Sequence, residues 1–265
     1  MQKVYIIFII ISVVATITRI TNVSLRRIKK LMPKLLLEHS AYYQKLNPKE
    51  RTRFEERILR FIATKHFYRF DKSKATDEMQ ILISAAAMQI TFGYPDRYDY
   101  EFFRRIAISD TNYVSSQSKK VHAGETNPGK SLIAFSWERL MFGIKNPHDS
   151  INLGLHEFAH ALFVNNVCGF SNHSFKKAIG KWHKIVNKII EEGTADDFFR
   201  RYAFANKMEF FAVSMEYFFE NPTAFKSHLP ELYGVMCELL NQDPLKPNNG
   251  IVRKTLLGGF YKNNK

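Results

Sequence analysis

The sequence predicts a mainly helical α+β domain, and three observations carry that prediction. Apolar residues fill 45% of the 265 positions and include 23 phenylalanines, enough for one sizeable core and too many for a disordered chain. Most of the chain places apolar residues at helical spacing behind start signals, whereas residues 100–136 change to short strand-like runs separated by polar turns. No repeat and no flexible linker divides the chain. One domain body at residues 46–244 is therefore expected, preceded by an apolar segment (1–25) and a basic connector (26–45) and followed by a poorly ordered tail (245–265).

Residues 4–18 (VYIIFIIISVVATIT) form an uncharged run of 15 residues, short of the roughly 20 a spanning helix needs. Three readings compete: a membrane anchor, a signal peptide leading to a secreted or periplasmic body, and an apolar N-terminal helix packed on the domain. The anchor is preferred, because Arg19, Arg26, Arg27, Lys29, Lys30 and Lys34 follow the run and would hold the body at the cytoplasmic face. The formal charge of +14 is concentrated here: residues 19–72 carry fifteen Lys or Arg against five Asp or Glu. Such a strip suits an anionic membrane surface, at about 1 kcal/mol per basic residue. A nucleic acid is the weaker candidate, since no zinc-finger spacing, RNP-like aromatic motif or GXXG loop accompanies the charge. Cys168 and Cys237 lack any CxxC partner and are expected as buried thiols.

Asn47, Pro48 and Glu50 mark a helix start, with Phe54, Ile58, Phe61 and Ile62 along one face to about His66. Thr76 starts a second helix through an apolar, small-residue stretch that ends at the turn Gly93-Tyr94-Pro95-Asp96. Residues 102–109 and 131–136 read as strands, and 122–130 (HAGETNPGK) as a polar, turn-rich loop. This middle portion is expected to offer an edge strand on which an extended peptide can lie. His122 is read as an exposed loop residue, with a place on that cleft as the alternative. A short helix over 137–142 breaks at 143–147, and a longer one runs over 172–191 with Gly193 behind it. Its His173 and His183 stand outside any ligand spacing. Residues 222–243 are again helical in pattern.

The chemistry gathers at His156-Glu157-Phe158-Ala159-His160, capped by Asp149 or Ser150. Histidines four apart share a helix face, so both imidazoles can reach one Zn²⁺ at about 2.0–2.1 Å, and the intervening glutamate stands beside the metal as a general base. The competing reading is an ordinary amphipathic helix whose histidines happen to align. A third ligand is needed. A histidine at the extended spacing is excluded, because Phe163 and Asn166 occupy the positions where HExxHxxGxxH has glycine and histidine. The segment NKMEFFAVSME offers Glu209 and Glu216 instead. Glu209 is favoured as ligand, although its spacing from Asn206 also fits a capping box, with Glu216 as the alternative ligand or as acceptor for a histidine N–H.

Several stretches together resemble the Mlc titration factor A-like zinc-dependent peptidases: LNPKERTRFEERILRFIATKHF, ATDEMQILISAAAMQITFGYPD, HAGETNPGKSLIAFSW, LHEFAH, NKMEFFAVSMEYFFENP and LYGVMCELLNQDP. The resemblance covers about residues 46–244. It implies a zincin-like metallopeptidase fold, one Zn²⁺ held by His156, His160 and Glu209, and Glu157 as catalytic acid/base. It further implies Tyr202, otherwise a packing residue, as hydrogen-bond donor to the oxyanion. The activity implied is aminopeptidase-like or limited endopeptidase cleavage of a peptide or protein substrate. Two departures stand out. Phe163 replaces the aspartate of HEFAHxLD, so a contact made by that carboxylate is either missing or supplied elsewhere, with Glu216 as the candidate, and Lys207-Met208 replaces a turn that often holds proline. Nothing in the chain marks a repressor-binding surface. The alternative of a different class is a non-catalytic zinc protein at the membrane surface contacting a repressor or nucleic acid.

Overall fold

Short polar side chains set where the helices begin. The computed structural model describes residues 24–170 and 172–250. Asn47 accepts the Glu50 N–H at the start of α3 (Pro48–Thr64), and Thr76 accepts the Met79 N–H at the start of α4 (Asp77–Thr91). Each such cap satisfies one orphan backbone donor and contributes about 1 kcal/mol. Upstream lie α1 (residues 24–39) and α2 (Ala41–Gln44). Residues 26–45, expected as a connector, thus belong to the packed body: Ile28, Met32 and Leu36 are buried in the main core. Their i, i+4, i+8 spacing makes one apolar stripe, while the basic residues between them face outward. The 4–18 run and residues 251–265 lie outside the described residues. No helix among the described residues is long and apolar enough to cross a membrane.

The small sheet has the order β1-β2-β6-β5, formed by β1 (His66–Arg69), β2 (Arg105–Ser109), β5 (Gly124–Asn127) and β6 (Leu132–Ser136). The first three neighbours run parallel, and β5 pairs antiparallel to β6 at the edge, Gly124 opposite Phe135 and Thr126 opposite Ile133. Alternation along the strands sends Ile106, Ile108, Ile133 and Phe135 into the main core and Ala107 and Ala134 to the opposite face, beneath Tyr113. A two-stranded ribbon, β3 (Tyr113–Val114) with β4 (Val121–His122), completes the strands.

Three differences from the sequence reading concern these strands. The first helix ends at Thr64, close to the expected His66, and β1 follows it in a stretch given no element from sequence, where His66 to Arg69 pair in register with Arg105 to Ile108. β5 lies inside the stretch predicted as a turn-rich loop. Its composition is poor for a strand, and the partner β6 supplies the ladder that holds it. β2 begins at Arg105, later than the predicted 102.

The remaining helices are α5 (Trp137–Lys145), α6 (Leu153–Val167), α7 (His173–Glu192), α8 (Lys207–Glu220), α9 (Pro222–His228) and α10 (Pro230–Leu240). α7 is amphipathic, begins behind the Asn172 cap and ends on Gly193 in the left-handed region at φ 65°. α6 is different: Leu155, Phe158, Ala159, Ala161 and Leu162 are all buried, and the helix is packed by α4, α5, α8 and the β5–β6 edge. Phe158 meets the rings of Phe61, Tyr100 and Phe135. The HExxH residues therefore ride on the central helix of the domain. Of the cysteines, Cys237 is half-buried, whereas Cys168, the C-cap of α6, is exposed rather than buried as expected.

Candidate metal centre

α6 starts at Asn152, whose side-chain oxygen accepts the Leu155 N–H at 3.0 Å. Asp149 and Ser150, the expected caps, do other work. Asp149 accepts the Ile151 N–H at 2.9 Å, and Ser150 turns the chain at φ 60°. Asn152 is then the last extended residue before the helix.

One turn into α6, the His156 and His160 rings meet edge to face, 4.7 Å between centroids and 87° between planes, with the two Nε2 atoms 3.1 Å apart. From the first turn of α8, Glu209 brings Oε2 to 3.0 Å from His156 Nε2 and 3.4 Å from His160 Nε2. Asn206 caps α8 by accepting the N–H groups of Met208 and Glu209, so Glu209 belongs to a capped turn while its carboxylate faces the imidazoles. Among the described residues, these three form the one group of His, Cys, Asp or Glu able to hold an ion. Ligands at about 2.0–2.1 Å around one tetrahedral centre are separated by about 3.3 Å, and the three distances here are of that size. The donor set, two imidazole nitrogens and one carboxylate oxygen, fits a divalent metal of the zinc type.

The orientation of His156 is fixed from behind. Its Nδ1 lies 2.7 Å from Glu216 Oε1, which also accepts from Arg200 Nη2, while Glu216 Oε2 accepts the Asn152 N–H at 2.7 Å. Arg200 Nη1 reaches the Ser150 carbonyl at 2.6 Å, tying the loop before α6 to the loop before α8. Glu216 is 1% exposed, so a carboxylate there depends on these three donors, the Arg200 guanidinium among them. Burial works against the His156 imidazolium, but hydrogen bonds to Glu209 and Glu216 outweigh it and push His156 up to about 10. Burial likewise works against the Glu209 carboxylate, and the His156 and His160 hydrogen bonds hold it well below the usual carboxylate range.

His160 has no such support. Its Nδ1 is buried without a hydrogen-bond partner, because Glu216 serves His156 instead. Glu216, the candidate to stand in for the absent carboxylate, bonds His156 and not this ring. Phe163 packs with Phe175 and Phe211.

Glu157 points toward the sheet edge. Thr126 Oγ1 on β5 lies 2.8 Å from Glu157 Oε2 and 2.9 Å from the Glu157 carbonyl. Gly124, two residues back, leaves no room for a side chain: a Cβ there would sit 2.6 Å from Glu157 Oε1. Tyr202 lies on a 3₁₀ turn (Arg201–Ala205), 55% exposed, with its ring 6.1 Å from that of His156. Partial burial and the neighbouring Glu209 carboxylate push its phenol up to about 12. His122 is apart from this group, on β4 with Nε2 at 2.6 Å from Ser118 Oγ. His173 is exposed, and His183 packs beside Trp182 and Phe163.

The sequence reading missed Arg200, Asn152, Thr126 and Gly124. Arg200 and Asn152 carry no motif. Gly124 and Thr126 were visible only as turn formers, and their meaning depends on β5 being a strand.

Residues 15–240 match the family model of the glucose-regulated metallo-peptidase M90. An uncharacterized protein of Synechocystis sp. (strain ATCC 27184 / PCC 6803 / Kazusa) is 24% identical over 233 residues, 80% of this chain and 83% of that protein. Mlc titration factor A of Yersinia pestis (strain Pestoides F) is 27% identical over 165 residues, 54% of this chain and 60% of that protein. The same figures hold for Mlc titration factor A of Yersinia pseudotuberculosis serotype O:1b (strain IP 31758).

Proposed function

Because the chain belongs to the glucose-regulated metallo-peptidase M90 family, we propose that it is a zinc-dependent peptidase using His156, His160 and Glu209 as metal ligands. The observation that carries this reading is the convergence of three donor atoms from two helices at ligand spacing, with Glu157 beside them. Zinc, when bound, supplies Lewis acidity that polarises the scissile carbonyl and makes a water acidic enough to attack it.

The chain's own residues do the rest. Glu157 takes the proton from the attacking water and returns it to the leaving amine, and the Thr126 hydroxyl holds its carboxylate in place. Tyr202, still protonated at neutral pH, donates a hydrogen bond to the oxyanion. Glu216, accepting from His156 Nδ1, leaves Nε2 as the lone-pair nitrogen facing the metal. The outer edge of β5 gives an extended peptide a ladder to join, next to Glu157. The expected cleavage is aminopeptidase-like or limited endopeptidase action on small peptides.

The test is the purified full chain and Glu157→Gln on chromogenic aminoacyl and peptide substrates, with metal analysis of both. The expected result is a loss of at least about 10²-fold in kcat with metal retained. Equal rates in both, metal present, would remove the peptidase reading. They would favour the regulatory role that the name Mlc titration factor A suggests for its relatives.

A further inference from the structure

α1 (residues 24–39) has two faces of opposite character. Ile28, Met32, Leu35 and Leu36 are buried in the main core, so the protein itself already covers the apolar stripe. On the other side Arg26, Lys30 and Lys34 stand at i, i+4 and i+8, all exposed, and make a straight cationic ridge about 12 Å long. Lys29 flanks it and is exposed as well. Arg27 turns back onto the protein, its Nη2 donating to Asp77 Oδ1 at 2.7 Å. The other four cations form no ion pair among the described residues, and residues 24–37 contain no carboxylate. Like charges one turn apart work against a helix, and nothing on this face relieves them. Two further features say which anion suits the ridge. Leu37 continues it at i+11 and is 46% exposed, and the uncharged run of residues 4–18 ends five residues before the helix. A nucleic-acid backbone has no use for either, whereas the border between lipid headgroups and acyl chains accommodates both.

We propose that the outward face of α1 is a docking surface for an anionic lipid bilayer, with Arg26, Lys30 and Lys34 on the headgroups and Leu37 at their inner border. An amphipathic helix that lies in a membrane buries its apolar stripe in the acyl chains. α1 has placed that stripe in the core, so the attraction of this face is Coulombic and falls as salt screens it. The face includes no residue of the metal centre, and the proposal does not depend on the peptidase reading.

Sedimentation of the full chain with vesicles of phosphatidylcholine alone, or with about 30% phosphatidylserine, tests this. The natural sequence should bind the anionic vesicles at least about 10-fold more tightly at low salt, and the preference should vanish near about 0.5 M NaCl. A variant carrying Arg26→Gln, Lys30→Gln and Lys34→Gln should lose the preference. One carrying Lys176→Gln, Lys177→Gln and Lys184→Gln, three exposed cations of α7, should keep it. No preference in the natural sequence overturns the proposal, and so does an equal loss in both variants, which would make net charge the cause. A short DNA duplex that the first variant alone fails to bind, while vesicles bind all three chains alike, would assign the ridge to nucleic acid and also overturn it. If the apolar run of residues 4–18 holds the chain on both kinds of vesicle, amine labelling decides. Slower modification of Lys30 and Lys34 on anionic than on neutral vesicles supports the docking face, and equal modification overturns it.

Discussion

Glu216 is buried to 1% exposure, and its two oxygens are met by an imidazole, a guanidinium and a backbone N–H. A carboxylate so placed does two things at once. It fixes the tautomer of His156, and through Arg200 it anchors the segment that carries Tyr202. Arg200 is therefore a positioning residue, and replacing it by glutamine leaves Glu216 buried with one charged partner fewer. Arg200→Gln is expected to lower zinc affinity about 10–100-fold in chelator competition, with the far-UV dichroism unchanged. Glu220 invites a different test. Its carboxyl titrates at about 8 in the folded chain, against an ordinary value of 4.5, so the folded state holds the proton more tightly. Its stabilising effect is complete below pH 4.5 and is lost as pH rises through 8. Glu220→Gln should thus gain stability over the natural sequence near pH 9, by roughly 1–3 kcal/mol in urea unfolding, and show no gain near pH 5.

At the scale of elements, the site depends on an edge strand and a central helix lying against each other. β5 touches α6 through Thr126 and Gly124, and the glycine is required by the closeness of the two backbones, not by an unusual φ. A methyl group at 124 would meet Glu157 Oε1 and Cγ and the side chain of Leu153, all within 2.7 Å. Gly124→Ala is therefore expected to displace Glu157 and cut kcat at least about 10-fold while metal content, measured on the same preparation, stays unchanged. The strand itself was hidden in the sequence: GETN has the composition of a turn, and only the antiparallel register with β6 makes it extended. The helices were far more legible, since Asn47, Thr76, Asn172 and Asn206 announce their starts locally and cap them in the structure. The exception is α6. Three polar residues precede it, and the choice of Asn152 over Asp149 and Ser150 depends on the left-handed turn at Ser150 and on Asn152 holding both Glu216 and Glu220.

For the whole molecule, the proposed centre ties together segments far apart in the chain: 124–126, 152–160, 200–202 and 209–216. Metal bound there links α6 to α8, and its removal by chelator should lower Tm by roughly 5–10 °C for metal at about 100 times Kd. Binding is also coupled to protons. In the folded chain His156 holds its proton up to about 10, above its ordinary 6.5. That proton stabilises the metal-free fold fully below pH 6.5, and the benefit is lost as pH rises through 10. Over the same window the metal no longer has to displace it. Zinc uptake at pH 7 should accordingly release about one proton, read by calorimetry in buffers of different ionisation enthalpy, and affinity should rise with pH. Release that stays at zero across buffers would contradict this state of His156.

Taken alone, the sequence determined the helical character of the chain, the placement of His156, Glu157 and His160 on one helix, and the two glutamates from which a further donor could come. These follow from local rules, helical period and capping, which act over a few residues. Tertiary structure decided what those rules do not reach: that Glu209 faces the imidazoles while Glu216 stands behind His156, that a turn-like segment becomes the strand beside Glu157, and that the basic stretch before residue 46 is part of the core. Each of these depends on a partner distant in the chain, and the burial and hydrogen bonding that select it exist only once the partner is in place.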